Sequence, residues 1–179
     1  MTVLPIIISI PHGGNVIPPL MMDNLLLDQT ALIYDGDTWS DQLYQFEARV
    51  LHTALMPVAR AVLDVNRLKT FLPPSHNDGV VKTVSILNTP VWRRPLSLMD
   101  VETLLKDYYD PYYQSLVEQT NQLQPRVGFD CHSMLASDPF DKSKPKRPLF
   151  CISNRGNEMG DVLDEPITAP AEFMRLLKD

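Results

Sequence analysis

A three-layer α/β/α fold with a mostly parallel central sheet is the architecture this sequence predicts, and three observations predict it. Residues 6–10, Ile6-Ile7-Ile8-Ser9-Ile10, are almost wholly β-branched, and a run that is apolar on both faces suits a central parallel strand. Strand-like and helix-like patterns then alternate along the chain, which argues for a parallel sheet covered on both sides. Each strand-like run also exits into polar residues, at His12, at Asn66-Arg67 and at His132. Ligands of open α/β sheets bind just beyond the carboxyl ends of their strands.

Pro11 stops the first strand, and His12-Gly13-Gly14 comes directly after it, where the chain turns and the backbone around Gly13 can approach a ligand closely. Residues 15–36 read as loop with a short helical piece. From Thr38, taken as an N-cap with Asp41 three residues on, Leu43, Phe46, Val50, Leu51 and Leu55 recur at helical spacing up to Pro57, which predicts a helix packed on the sheet. Residues 61–65 read as a second strand ending in Asn66-Arg67, before a loop carrying Pro73, Pro74 and Gly79. Ser97 with Asp100 opens another helix whose apolar stripe continues to Leu123, kinked or restarted at Pro111. Residues 127–132 read as a third strand, and residues 138–148 as a basic, proline-containing loop.

Composition narrows the class. At 179 residues the chain fits one domain over 1–179, a size that buries roughly 70% of its unfolded surface. The net charge of −6 offers no basic field for phosphates, so nucleic acid is not an expected partner. Residues 3–10 are too short and too interrupted for a membrane span, and two cysteines do not make a disulfide framework. The cytoplasm is therefore the expected compartment. Sixteen prolines against seven glycines predict long, stiff loops.

The polar strand exits carry the chemistry. Asp130 and His132 are two apart, which on a strand points both side chains to one face and turns Cys131 to the other. Cys131 is thus read as small core filler. Imidazole and carboxylate together suit zinc, whose catalytic sites use three protein ligands and a water. His12 and His132 are the natural pair and Asp37 the third ligand, unless Asp35 and Asp37 only cap the helix that follows. Asp130 serves as an acceptor orienting an imidazole, as a fourth ligand or as the proton acceptor for water. Arg67 is placed to grip a substrate carboxylate through two parallel hydrogen bonds, with a brace to Asp64 as the alternative. Arg93 and Arg94 form a second basic spot. His52, on the first predicted helix, and His76 are read as surface residues, and Tyr108, Tyr109, Tyr112 and Tyr113 as core.

The segments Ser9-Ile10-Pro11-His12-Gly13-Gly14, Asp35-Gly36-Asp37-Thr38-Trp39-Ser40-Asp41-Gln42-Leu43-Tyr44, Asp64-Val65-Asn66-Arg67 and Asp130-Cys131-His132-Ser133 occur in the order seen in N-formylglutamate amidohydrolases. Tyr108-Tyr109-Asp110-Pro111-Tyr112-Tyr113 is also similar to a helix of that family. The resemblance implies a zinc-exopeptidase-like fold, a Zn2+ or other divalent cofactor, and hydrolysis of an N-acyl amino acid, with N-formylglutamate giving formate and glutamate in histidine degradation. Asp64-Val65-Asn66-Arg67 also resembles the substrate-gripping segment of aspartoacylases, which implies Asn66 and Arg67 as carboxylate binders. The family's pattern continues through a glycine-rich segment to a later strand bearing a glutamate. Glu158, Glu165 and Glu172 stand in a tail that does not resemble it. Either Asp130 is the base, or the chain is a shortened member, reduced in the extreme to a binding module for a small carboxylate.

Overall fold

The computed structural model describes residues 2–46, 48–138, 141, 143–157, 159–163 and 166–178. These form two compact units, residues 1–134 and 135–179. The first holds a three-stranded, wholly parallel sheet of order β2-β1-β3, from β1 (Leu4–Ile10), β2 (Val50–Leu55) and β3 (Val127–Asp130). Its helices are α1 (Gln29–Asp35), α2 (Ser40–Leu43), α3 (Leu98–Leu104) and α4 (Asp110–Leu123). This is an α/β fold with a parallel sheet, the class the sequence predicts, and the isoleucine run is its central strand. No described helix is long and apolar enough to cross a membrane.

β1 is central because it is apolar on both faces. Ile8 and Ile10 join Val50, with Ile6, Tyr44 and Cys131 packed against them, and the opposite face carries Ser9, whose hydroxyl meets the α4 residue Tyr112 at 2.7 Å. Cys131 therefore lies on the face away from Asp130. Register sets the position of the strand exits: Ser9 pairs with Asp130, so the ends of β1 and β3 lie side by side and open at one edge.

Two predicted elements take other forms. The helix expected over residues 38–57 is limited to α2, a single turn, and residues 50–55 are the edge strand β2, paired with β1 from Leu4↔Val50 to Ile10↔Leu55 across an irregularity. The spacing that mimics a helix spans a set of turns, in which the Arg49 and Val50 amides bond the Phe46 carbonyl. Pairing with the central strand outweighs the weak local periodicity. Thr38 is not the cap either: Trp39, in the left-handed region at φ 62°, precedes α2, while the Thr38 hydroxyl donates to the Ile33 carbonyl. His52 accordingly sits on a strand. Residues 61–65 form no strand; they follow a turn in which the Val62 and Leu63 amides reach the Ala59 carbonyl, with one isolated bridge, Leu63↔Val81. Ala61, Val62, Leu63 and Val65 are fully buried, and an apolar run surrounded on every side cannot be told from a strand by pattern alone.

The helix after Ser97 forms as expected, with Ser97 and Asp100 in a reciprocal capping box. Ahead of Pro111, which has no N–H to give, the helix widens into a π turn (Leu105–Tyr109) closed by an Asp110 N–H to Leu105 carbonyl bond. The second unit is organised by the buried Asn154 side chain. Its amide donates to the Gly160 and Ala169 carbonyls while its oxygen accepts from the Gly156 amide, and α5 (Ala171–Lys178), which carries Glu172, closes it. Glu158 and Glu165 lie outside the described residues.

The turn after β1 is held by close backbone approach. A Cβ at Gly14 would collide with the Pro57 carbonyl oxygen, which also accepts the Val16 amide. Gly14→Ala is expected to lower the unfolding free energy by roughly 1–3 kcal/mol, the usual cost of forced overpacking, as read by chemical denaturation.

Candidate metal centre

Hydrogen bonds to backbone carbonyls bring three segments together at the sheet edge. The Asp37 amide donates to the His12 carbonyl, the Ser133 hydroxyl to the Thr38 carbonyl, and the Tyr44 hydroxyl to the His132 carbonyl. The loop before α2 is thereby fastened to the exits of β1 and β3. His12 and His132 face each other with ring centroids 4.9 Å apart.

Both imidazoles turn Nδ1 to the same carboxylate oxygen: Asp37 Oδ2 is 2.7 Å from His132 Nδ1 and 3.6 Å from His12 Nδ1. Ligand atoms of His12, Asp37 and His132 all lie within 4.8 Å of one another. Donors around a tetrahedral zinc sit roughly 3–3.5 Å apart, so this spacing and donor chemistry fit such an ion. The far nitrogens are also held. His12 Nε2 is 2.8 Å from Asp64 Oδ1, and His132 Nε2 is 3.2 Å from Asp130 Oδ2. A carboxylate on the far nitrogen fixes the tautomer that leaves Nδ1 free to ligate.

These carboxylates are themselves anchored. Asp64, 1% exposed, takes the Asn66 amide on Oδ1 at 3.0 Å and the Arg60 Nε on Oδ2 at 3.1 Å. Asp130 accepts from the Ser9 hydroxyl at 2.6 Å on one oxygen and from the Asn66 side-chain amide at 2.8 Å on the other. That amide also lies 3.1 Å from His132 Nε2. The backbone carrying Asp64 and Asn66 is pinned by tyrosines, since Tyr113 donates to the Val65 carbonyl at 2.6 Å and Tyr109 to the Arg67 carbonyl at 3.4 Å.

Charges follow from these contacts. Hydrogen bonds to Asp130 and then Asp37 raise the His132 pKa to about 9 against the opposing effect of burial. At His12 burial pulls the pKa down, but Asp37 and Asp64 outweigh it and the net shift is upward. Burial pushes Asp37 up, and the two imidazoles overcome it to hold the carboxyl at about 2. Asp64 and Asp130 are likewise held below the usual carboxylate range, against burial, by His12 and by His132 respectively. Burial, with the Asp130 charge adding to it, pushes the Cys131 thiol to about 11, which is no setting for a thiolate nucleophile.

Of the expected site residues, His12, Asp37, His132, Asp130 and Asn66 form one cluster, the Asn66 side chain pointing at Asp130. A Cβ at Gly13 would lie 2.8 Å from the Ile10 Cγ2 and 2.9 Å from the Ser40 Oγ, so a side chain there would push into the turn. Arg67 stands behind Asp64, with Nε 3.7 Å from Asp64 Oδ2 and Nη2 donating to Asp78 Oδ2 at 2.7 Å. Arg93 donates to the Leu25 carbonyl, away from the cluster's contacts. Sequence reasoning missed that Asp64 holds His12; the two-residue spacing of Asp64 and Asn66, which permits an Asx turn, was the signal that could have found it. It also missed Ser9 and Arg60, for which the sequence offers none.

Fold and cluster together define an α/β protein with a candidate His-Asp-His metal centre at the carboxyl edge of a parallel sheet. The family model described as N-formylglutamate amidohydrolase matches residues 4–176. The chain belongs to that family. It is 24% identical to an N-formylglutamate deformylase of Pseudomonas aeruginosa over 180 residues, covering 94% of this chain and 65% of the relative. A Pseudomonas putida protein of the same name is 27% identical over 154 residues, 79% of this chain and 57% of the relative. The chain thus spans somewhat under two thirds of the length of these relatives. The crystal structure of an N-formylglutamate amidohydrolase from Ralstonia eutropha JMP134 shares the fold at a TM-score of 0.61 and 22% identity, covering 75% of this chain and 55% of that one.

The two carboxylates behind the imidazoles differ in surroundings, and this separates their contributions to stability. Asp64→Asn removes a charge from a buried set with His12 and Arg60 and is expected to cost roughly 3–5 kcal/mol. Asp130→Asn, at a half-exposed position, is expected to cost at most about 1 kcal/mol. Denaturant unfolding of the two variants side by side reads the difference.

Proposed function

We propose that this chain hydrolyses the amide of an N-acyl amino acid bearing a free carboxylate, N-formylglutamate to formate and glutamate, with a divalent cation held by His12, Asp37 and His132. The observation that carries the reading is the pair of imidazoles whose Nδ1 atoms face one carboxylate while a second carboxylate fixes each far nitrogen. A structural histidine needs one such partner; two oriented toward a common point fit ligation. The names of the Pseudomonas relatives support the substrate.

A zinc-type cation at this position supplies Lewis acidity, polarising an acyl carbonyl and lowering the pKa of water toward about 7. The protein's own residues supply the rest. Asp64 holds His12 and Asp130 holds His132, so neither ring needs to reorient on ligation. Asn66 keeps Asp130 turned to His132. Both oxygens of Asp130 are engaged, one by the Ser9 hydroxyl and one by the Asn66 amide, so Asp130 is read as a positioning residue rather than the base. Arg67, 41% exposed in its side chain, presents the cation that would receive the substrate carboxylate, one aspartate removed from His12. Gly13 keeps the turn beneath the cluster free of a side chain.

The test is formate release from N-formylglutamate by protein whose zinc content is measured in parallel. Turnover with one zinc per chain, lost in His132→Ala and lowered roughly 10- to 100-fold in Asp130→Asn, supports the reading. Turnover by metal-free protein overturns it. Binding of N-formylglutamate without formate release would instead identify a carboxylate-binding module.

A further inference from the structure

The cation assigned to substrate is already occupied. Arg67 Nη2 donates to Asp78 Oδ2 at 2.7 Å, while its Nε is buried without a hydrogen-bond partner and lies 3.7 Å from Asp64 Oδ2. Asp78 is held from a second side by Lys82 Nζ at 3.2 Å on its other oxygen, and Lys82 in turn bonds Asp35 Oδ1 at 2.8 Å. Arg60, Arg67 and Lys82 therefore face Asp35, Asp64 and Asp78, three cations against three anions. A substrate carboxylate entering here would meet an Arg67 fork already held by a carboxylate, unless one of the acids withdrew.

Exposure decides which acid withdraws. Asp64 and Asp35 are at most 1% exposed, and moving either would break an ion pair formed away from solvent, with Arg60 or with Lys82, a costly change. Asp78 is 54% exposed and can turn to water at little cost. Lys82 keeps Asp35 when it does so.

Resting on the assignment of Arg67 to the substrate carboxylate, we propose that Asp78 is a specificity-determining residue: it occupies the Arg67 fork as an internal carboxylate that an anionic substrate must displace. A ligand that brings a carboxylate to Arg67 can replace its charge-assisted bond, whereas an uncharged analogue cannot and leaves Asp78 in place. The site thereby selects for ligands that carry a carboxylate at the position of Arg67 and against uncharged analogues.

The experiment is calorimetric titration of the full chain with glutarate, an unhydrolysable dicarboxylate, with melting temperatures recorded for every variant. Asp78→Asn is expected to bind glutarate roughly two- to fivefold more tightly, the range set by an exposed ion pair. Asp78→Glu should return affinity toward the wild-type value, and Arg67→Gln should abolish binding. In the wild type, the Asp78 carboxyl 13C resonance should shift in proportion to glutarate saturation, a readout that does not depend on a variant folding. Unchanged affinity in Asp78→Asn, or a stationary resonance, with binding still lost in Arg67→Gln, overturns the role of Asp78 and leaves Arg67 as the carboxylate binder. Undiminished binding in Arg67→Gln, or no binding by any form, overturns the assignment of Arg67 and the displacement with it.

Discussion

One carboxylate, Asp37, shared by two imidazoles is the interaction around which the rest of the first unit is arranged. Neither ring reaches it by local preference. His12 arrives there because β1 runs through the middle of the sheet, and His132 because β3 pairs beside it with Ser9 opposite Asp130. The loop carrying Asp37 is drawn in by its own amide bonding the His12 carbonyl. Parallel pairing thus converts two strand exits far apart in the sequence into neighbours, as the general placement of ligands at the carboxyl edge of such sheets requires.

Gathering acids and bases in a partly buried place is unfavourable unless each is paired, since desolvation of ions costs more than a loose pairing returns. The cluster meets that demand by chaining pairs. Asp37 faces both histidines, Asp64 faces His12 and Arg60, and Asp130 faces His132, Asn66 and Ser9. Without a cation, protons on the imidazoles balance the carboxylates, which is why the histidine pKa values rise while those of the aspartates fall. A divalent ion replaces those protons, in keeping with the linkage of metal binding to ligand deprotonation. The same chaining extends through Arg67 and Asp78 to the buried Lys82 and Asp35 pair.

What the sequence discloses depends on the reach of each signal. The isoleucine run, the Pro-His-Gly-Gly turn, the capping box at Ser97 and the opposed faces of Asp130 and Cys131 are local, and the structure keeps all of them. The grouping of His12, Asp37 and His132 is legible because each follows or precedes a punctuated element. Residues 50–55 read as helix because six residues at the sheet edge carry too little pattern to outvote a spacing that also fits a helix, and only the partner β1 decides. Residues 61–65 read as strand because complete burial erases periodicity. Ser9 at Asp130 and Asp78 at Arg67 are tertiary meetings, and nothing in the linear order of residues announces them.

The chemistry of the site stands or falls on a single divalent cation held between His12, Asp37 and His132. Anomalous diffraction at the zinc edge, from crystals of this chain grown with zinc, is the decisive measurement. One strong peak bounded by the two Nδ1 atoms and the Asp37 carboxylate is the expected result. Zinc bound elsewhere in such a crystal, with no density at that position, would refute the assignment.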